Sequence, residues 1–312
     1  MNRSTIIYSL STRGLYSELF NLCLAVVYAQ KKRLALRLNT CLWNSRVDRG
    51  WDDYFEPTVD QCNNAMAAQD RVYTNEKPWI GKIYYDPKAF CSFYFRFFLN
   101  RLYQWAHPTH LLTKDVFGEM RSEPFLRDTL GDDAFGLMAA SFRRMYVLNR
   151  ETSSQIEQRK RQLQLPDVYL GVHIRRGDKI ATHEMHDIHL DQYVQAILQH
   201  KAVSHNVYIA TDDVSVVDYV RQKTGGQGIN IFYNSQNKGQ GFDESTFNHA
   251  SKEVRKEETL NVLLDMDVLV HSTFFIGTYT SNLSRVVPFF LGLDRCVSLD
   301  SSWNVINSAN GM

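Results

Sequence analysis

Cysteine, proline and net charge are all scarce in this chain. Its five cysteines, Cys23, Cys41, Cys62, Cys91 and Cys296, are odd in number and widely spaced. That excludes the paired framework of a small secreted scaffold and predicts a reducing compartment. Seven prolines in 312 residues leave no proline-rich linker, and neither a low-complexity tract nor an internal repeat interrupts the chain. A formal net charge of +1 removes any global pull toward nucleic acid or an anionic membrane. The one dense basic run, Arg159-Lys160-Arg161, lies in a glutamine-rich helical stretch and reads as a solvated face. The best apolar run, residues 19–30, lies between Glu18 and Lys31 and falls short of the roughly 20 residues that span a bilayer. With no targeting segment, the expectation is a soluble, cytoplasmic protein without a membrane span. The dinucleotide fingerprint is missing too: Thr224-Gly-Gly-Gln-Gly228 follows a helical pattern rather than a strand, which disfavours a Rossmann oxidoreductase.

What is present is ordinary globular material, 44% hydrophobic and 22% charged, in a length that suggests two domains. Residues 5–10 read as a strand, then a polar turn Ser11-Thr-Arg-Gly14, a helix to about residue 30, and a strand over 33–38. That is one βαβ unit, with Gly14 at the turn where a ligand could approach the backbone. Residues 88–165 read as mostly helical, including 132–146 and 153–163. After Pro166 strands and helices alternate: strands at 168–174, 207–211, 229–233 and 274–278, helices at 189–200, 215–222, 257–271 and 281–291. Such alternation implies a parallel doubly wound sheet. The domain boundary is placed near Leu165-Pro166, giving domains 1–165 and 166–312.

The stretch Val168-Tyr-Leu-Gly-Val-His-Ile-Arg-Arg-Gly-Asp-Lys179 carries the most chemistry. Its uncharged first half suits a central strand, so Arg175 and Arg176 emerge at the carboxyl end, where open α/β sheets bind ligands. Guanidinium forks match phosphate oxygens. Alternation along an extended chain assigns Arg175 to phosphate and Arg176 to bracing the loop; a structural salt bridge from Arg175 to Asp178 is the competing reading. Thr278-Tyr-Thr-Ser-Asn282 opens the helix at 281–291, where free amides and the Ser281 hydroxyl would make an anion site, or plain capping. Asp265-Met-Asp267 has the form of a metal-binding DxD but falls within a helix, where two residues correspond to about 200°, so one shared metal is disfavoured. A buried Asp265 needs a strong partner, either a salt bridge or the N1 and N2 donors of a guanine. The cluster His183-Glu184-Met-His186-Asp187 fits no established ligand spacing; within it Glu184 is a reasonable general base. Thr211-Asp212-Asp213 joins a strand to a helix and reads as a cap or as site support.

Together these residues resemble the core α1,6-fucosyltransferases and rhizobial chitin-oligosaccharide fucosyltransferases. His173-Ile-Arg-Arg-Gly-Asp-Lys179 is similar to the family's HxRRxDK motif, Val207-Tyr-Ile-Ala-Thr-Asp-Asp213 to its VYLATDD, and Leu264-Asp265 with residues 278–285 to its LD and TFSSQxxR elements. Residues 14–19 and 50–57 resemble further family elements; residues 63–145 align with nothing in it. The resemblance implies a GT-B fold, two Rossmann-like domains facing a cleft, with a mostly helical segment in the middle of the chain. It implies GDP-fucose as donor, a glycan acceptor, no metal and no other cofactor. The C-terminal domain would hold the donor and the N-terminal one the acceptor. By the same resemblance, Arg175 contacts the donor β-phosphate, His173 and Asp265 the guanine, and Ser281 and Asn282 the phosphate side, with Gly14 and Ser17 as further donor contacts. Arg176, Asp178, Lys179, Tyr193, Asp212 and Asp213 match positions needed for activity, and Glu184 matches the proposed base after one inserted residue.

The departures are specific. Tyr16 stands where the family has a glycine, and Gly277 and Ser284 stand where it has a disulfide's cysteines. No stem, anchor or SH3-like module is recognised. Inverting fucose transfer is the reaction implied. A GT-B enzyme using GDP-mannose or a UDP-sugar, or a nucleotide-sugar-binding protein without catalysis, are the alternatives.

Overall fold

Parallel sheets organise both ends of the chain in a computed structural model that describes residues 4–69, 87–177, 188–235 and 241–304, with side chains from residue 91 onward in the second stretch. Two units separate at Asn149 and Arg150. In the first, Ile6, Ile7 and Tyr8 are all buried, so β1 (Thr5–Ser9) is the core strand its apolar run predicts. Helix α1 (Leu15–Lys32) crosses to β2 (Ala35–Asn39), which pairs parallel to β1. The helix buries Leu19, Phe20, Leu22 and Cys23 and stops at Arg33 in the left-handed region, φ 55°. The sheet gains β3 (Gln61–Cys62) beside β2 and β4 (His110–Leu112) on the other side of β1, all parallel.

The middle of the chain is helical as expected: α2 (Pro87–Ala106), α3 (Thr113–Met120), α4 (Glu123–Leu130) and α5 (Ala134–Met145). Strand β4 is the exception. Three residues are too few to show a period of two, and only pairing with β1 makes them a strand. Tyr16, which replaces a family glycine, is buried in this unit, its hydroxyl 2.9 Å from that of Tyr146.

The second unit has five parallel strands in the order β7-β6-β5-β8-β9. They are β5 (Leu170–Ile174), β6 (Asn206–Thr211), β7 (Asn230–Tyr233), β8 (Phe274–Gly277) and β9 (Cys296–Ser298). Strand order reverses between β5 and β8, the place where a doubly wound sheet opens a crevice at its carboxyl edge. Helices α7 (Leu190–Gln199) and α8 (Ser215–Lys223) close one core, with Tyr193, Val194, Ile197, Val216, Val217 and Val220 against Leu170, Val172 and Ile174.

Helix α6 (Arg150–Gln162) falls in this unit, upstream of the Leu165-Pro166 position favoured by the sequence. Its basic run explains why. Arg159 grips Glu257 with both ends of its guanidinium at 2.7 Å, and Lys160 meets Asp267 at 2.8 Å, both on α10 (Lys252–Val270). So the run expected to be a solvated face is in part a clamp between helices. A second difference concerns residues 281–291. They form two pieces, α11 (Asn282–Val286) and α12 (Pro288–Leu291), since proline lacks the amide to continue a ladder and suits a first turn. Between β7 and α10 lies the short α9 (Glu244–His249).

Candidate active site

The carboxyl end of β5 brings His173 and Arg175 to the strand-order reversal of the second unit. His173 is buried. Its Nδ1 lies 2.7 Å from the hydroxyl of Ser284 and 3.5 Å from that of Ser281, both contributed by the segment after β8. Burial is the main cause of its pKa falling from 6.5 to about 4; Asp212 works upward and Arg175 downward. The imidazole is therefore neutral near pH 7.

Arg175 pairs with Asp212 at the end of β6, Nη1 to Oδ2 3.0 Å, and its guanidinium lies 5.1 Å from the centre of the Phe242 ring. The salt bridge weighed from the sequence was to Asp178; the described partner is Asp212, because β6 runs parallel beside β5 and ends level with it. Asp212 gathers more than one donor. The amides of Arg176 and Gly177 donate to its two oxygens at 2.7 and 2.8 Å, and the amide of Phe242 donates at 3.1 Å. Burial works to raise its pKa, but Arg175 and the three amides outweigh that and hold the carboxyl below its usual range. The Arg176 side chain turns away to donate to the carbonyl of Ile188 at 3.2 Å. Asp213 accepts from the amide and hydroxyl of Ser215 at 2.9 and 2.7 Å, holding the start of α8.

Two residues overlooked in the sequence complete this corner. Gly177 is one: a Cβ there would lie 2.4 and 2.6 Å from the backbone of Phe242 and 2.7 Å from Asp212, so only glycine lets the two loops meet. Asp300 is the other. Its carboxylate accepts from the amides of Tyr279 and Thr280 at 2.6 and 3.0 Å and from the hydroxyls of Thr280 and Ser298 at 2.6 and 2.7 Å. An aspartate near the end of the chain carries no local signal of this. Gly177 could have been found from its place between two charged residues at a strand end.

The helix start where an anion site was expected is Asn282, with Ser281 at the cap position, in a helix five residues long, so little dipole stands behind it. The amides that Asp300 takes, those of Tyr279 and Thr280, lie just upstream of that start. The turn leading into it is held from below. Asn282 Oδ1 accepts from buried Arg285 at 3.3 Å, and Arg285 Nε donates to the Tyr279 carbonyl at 3.2 Å.

Asp265 and Asp267 diverge on α10, as their spacing dictates. Asp265 is buried and accepts from the Tyr208 hydroxyl at 2.6 Å. Its partner is thus a neutral phenol rather than a salt bridge, and burial above all pushes its pKa from 3.8 to about 7, Tyr208 lowering it and Asp212 raising it. Asp267 goes to Lys160. Tyr193 is packed in the core of the unit. Gly14 and Ser17 belong to the first unit, at and just inside the start of α1. A Cβ on Gly14 would meet nothing within 4 Å, so packing in its own unit does not demand glycine there. Asp178, Lys179 and Glu184 lie outside the described residues, as does the His183 to Asp187 cluster. At Gly277, a Cβ would meet the Phe275 ring at 2.6 Å and the Ser284 hydroxyl at 2.8 Å. These are the two positions where the resembled family has cysteines, and they are adjacent here; all five cysteines of the chain are free thiols.

Comparison with known proteins follows this geometry. The family model of α-(1,6)-fucosyltransferase N- and catalytic domains matches residues 138–290. Among solved structures, the chain is similar to NodZ α-1,6-fucosyltransferase soaked with GDP-fucose, at 19% identity and a TM-score of 0.55, with 97% of each chain covered. It is similar to fucosyltransferase NodZ from Bradyrhizobium at 18% identity and a TM-score of 0.53, with 96% of each covered. POFUT1 in complex with GDP matches at 9% identity and a TM-score of 0.55, over 95% of this chain and 98% of that one. At such identities the likeness is one of fold, and it bears out the GT-B class expected from the motifs.

Proposed function

We propose, on the premise that residues 138–290 belong to the α-(1,6)-fucosyltransferase family, that this chain transfers fucose from GDP-fucose to a hydroxyl of a glycan acceptor with inversion at the sugar. The observation that carries the reading is the grip of Asp212 on Arg175 and on the amides of Arg176 and Gly177. It fixes a guanidinium at the carboxyl end of a central strand before any ligand arrives. Cleavage of the donor builds negative charge on the departing diphosphate. A cation already oriented for that charge stabilises the transition state without reorganising, which is where electrostatic catalysis gains most.

Guanine recognition would fall to His173 and Asp265. With Nδ1 engaged by Ser284, Nε2 is the ring nitrogen left to meet the base. The Asp265 carboxylate, one oxygen on Tyr208, can accept from the N1 and N2 donors of guanine, and those donors would draw it into the charged form that burial disfavours. Asp300 and Arg285 hold the 279–282 turn from which Ser281 and Asn282 would face the phosphates. Glu184 would take the acceptor proton, tuned by Lys179, by resemblance to the family's base. Gly14 and Ser17 would be further donor contacts by resemblance to the family, and the N-terminal domain, read from the sequence as residues 1–165, would carry the acceptor. The reaction would need no metal. Asp265 and Asp267 point to separate partners, so they cannot chelate one ion together, and Arg175 supplies the positive charge.

A thermal-shift panel of GDP and UDP tests the donor. Ligand at about 100 times its Kd adds roughly 2.7 kcal/mol; GDP should raise Tm and UDP should not. Stabilisation by UDP alone overturns the donor assignment. Incubation with GDP-fucose and a defined glycan panel, followed by NMR of the product, tests transfer, and retention of anomeric configuration overturns inversion.

A further inference from the structure

Helix α2 (Pro87–Ala106) has an inward side that is well anchored. Buried Asn100 donates to the carbonyls of Met66 and Ala68 at 2.8 and 3.3 Å, the Tyr103 hydroxyl lies 2.8 Å from His110 Nδ1, and Arg96 donates to the carbonyl of Ala65 at 2.9 Å. Its outward side is unlike that of a water-facing helix. Phe95, Phe98, Leu102 and Trp105 recur at three- and four-residue spacing, one continuous stripe, and are 62%, 58%, 38% and 84% exposed. Tyr94 and Phe97 flank the stripe and are exposed as well. Scattered apolar residues on a surface need no explanation, but a contiguous aromatic face of this kind marks an interaction site.

The charges on the helix select the partner. Lys88, Arg96 and Arg101 are its only ionisable acid–base side chains besides Tyr and Cys, and it contains neither aspartate nor glutamate. Arg101 stands at the edge of the stripe, its guanidinium 5.9 Å from the centre of the Phe97 ring. A face of Phe, Leu, Tyr and Trp with an arginine at its edge, on a helix without acids, is what an interfacial helix presents to a bilayer: rings at the boundary between headgroups and acyl chains, the cation at the phosphates. A second copy of the chain would set Arg101 and an acid-free helix against their own counterparts. Spanning is not in question, because no helix among the described residues is long and apolar enough to cross a membrane.

We propose that the outward face of α2 docks the protein in the plane of a membrane surface rich in anionic lipid. The experiment is flotation of the full chain with vesicles of phosphatidylcholine plus phosphatidylglycerol, compared with phosphatidylcholine alone. The chain should float with the anionic vesicles, less so at high salt. Replacing Phe98→Ser and Trp105→Ser together should weaken binding about tenfold or more, with Tm and the GDP response unchanged, because both side chains already face water. Absence of vesicle binding overturns the proposal, and so does binding that the double substitution leaves intact. A concentration-dependent dimer in sedimentation, split by the same double substitution in a chain that ignores vesicles, would assign the face to a second copy instead. None of these outcomes depends on the donor reading.

Discussion

The two units place the same device at the same address and use it differently. Each sheet ends its first core strand in a loop with an arginine laid over a phenylalanine: Arg13 is 5.0 Å from the Phe117 ring, Arg175 is 5.1 Å from the Phe242 ring. Each arginine has a carboxylate partner, Glu18 at 3.6 Å and Asp212 at 3.0 Å. In the first unit the pair is sealed, with side-chain exposures of 9% and 1%; in the second it is more open, 18% and 12%. Burial dominates at Glu18 and raises its pKa despite Arg13 and the Ser11 hydrogen bonds. At Asp212 the arginine and three amides win and lower it. A sealed pair holds a loop together, whereas the more exposed pair is the one proposed to meet the donor diphosphate.

The neighbouring strand shows the same contrast. Beside β1, the Thr113 hydroxyl accepts the Ser9 amide at 2.7 Å and closes the edge between β1 and β4. Beside β5, the corresponding space holds His173, Ser281 and Ser284, polar groups that bridge β5 to the segment after β8.

Breaking the sealed pair should have the largest effect. Arg13→Ala leaves Glu18 buried beside an apolar gap and is expected to cost about 3–5 kcal/mol of stability, measured by chemical denaturation; a variant as stable as the parent would show that the pair is not structural. In the open pair the loss should appear in turnover. Arg175→Ala should lower the rate of fucose transfer at saturating GDP-fucose about a hundredfold, on the order of 3 kcal/mol, with a smaller loss of Tm than Arg13→Ala because the pair is more exposed and three amides still hold Asp212. Near-full turnover would remove Arg175 from the chemistry. Gly177→Ala sharpens the comparison from the backbone side: its methyl group must push Phe242 away from Asp212, costing about 1–3 kcal/mol and loosening Arg175, so both Tm and the GDP-induced shift should fall.

The smallest effects are in pH. His173 has a folded pKa near 4 against an ordinary 6.5, so the stability it contributes is present above pH 6.5 and is lost as pH falls toward 4. Asp265 runs the other way. Its pKa of about 7 means that the protonated form suits the fold, and this contribution fades as pH rises through 7. Guanine would need the carboxylate, so GDP-induced stabilisation should grow as pH rises through 7. Asp265→Asn should flatten that growth and raise Tm in the absence of ligand. Thermal-shift series with and without GDP across this range would check both signs.

Much of this is legible in the sequence. Strands β1, β5, β6 and β8 announce themselves as apolar runs bounded by turns, because a buried strand tolerates little else; β2 and β7, less buried, show it more weakly. The motif residues of the second unit could be read from their order along the chain, and Asp265 and Asp267 could be set on different sides of a helix by counting. Other features had no local signature. Strand β4 exists only through β1, and the 281–291 helix is interrupted at Pro288, whose effect is plain only in retrospect. The basic run on α6 became a clamp because α10 carries acids at matching heights.

Local composition therefore determined most of the strands and helices and which side chains stand at the mouth of the C-terminal sheet, since period and burial are properties of neighbouring residues. Tertiary structure alone decided who pairs with whom. Asp212, brought level by β6, meets Arg175, Tyr208 rather than a cation meets Asp265, and Asp300 reaches back to the turn at 279–280. In a parallel sheet, groups far apart in sequence come level at one edge, and that register is set by strand pairing, not by the spacing of letters along the chain.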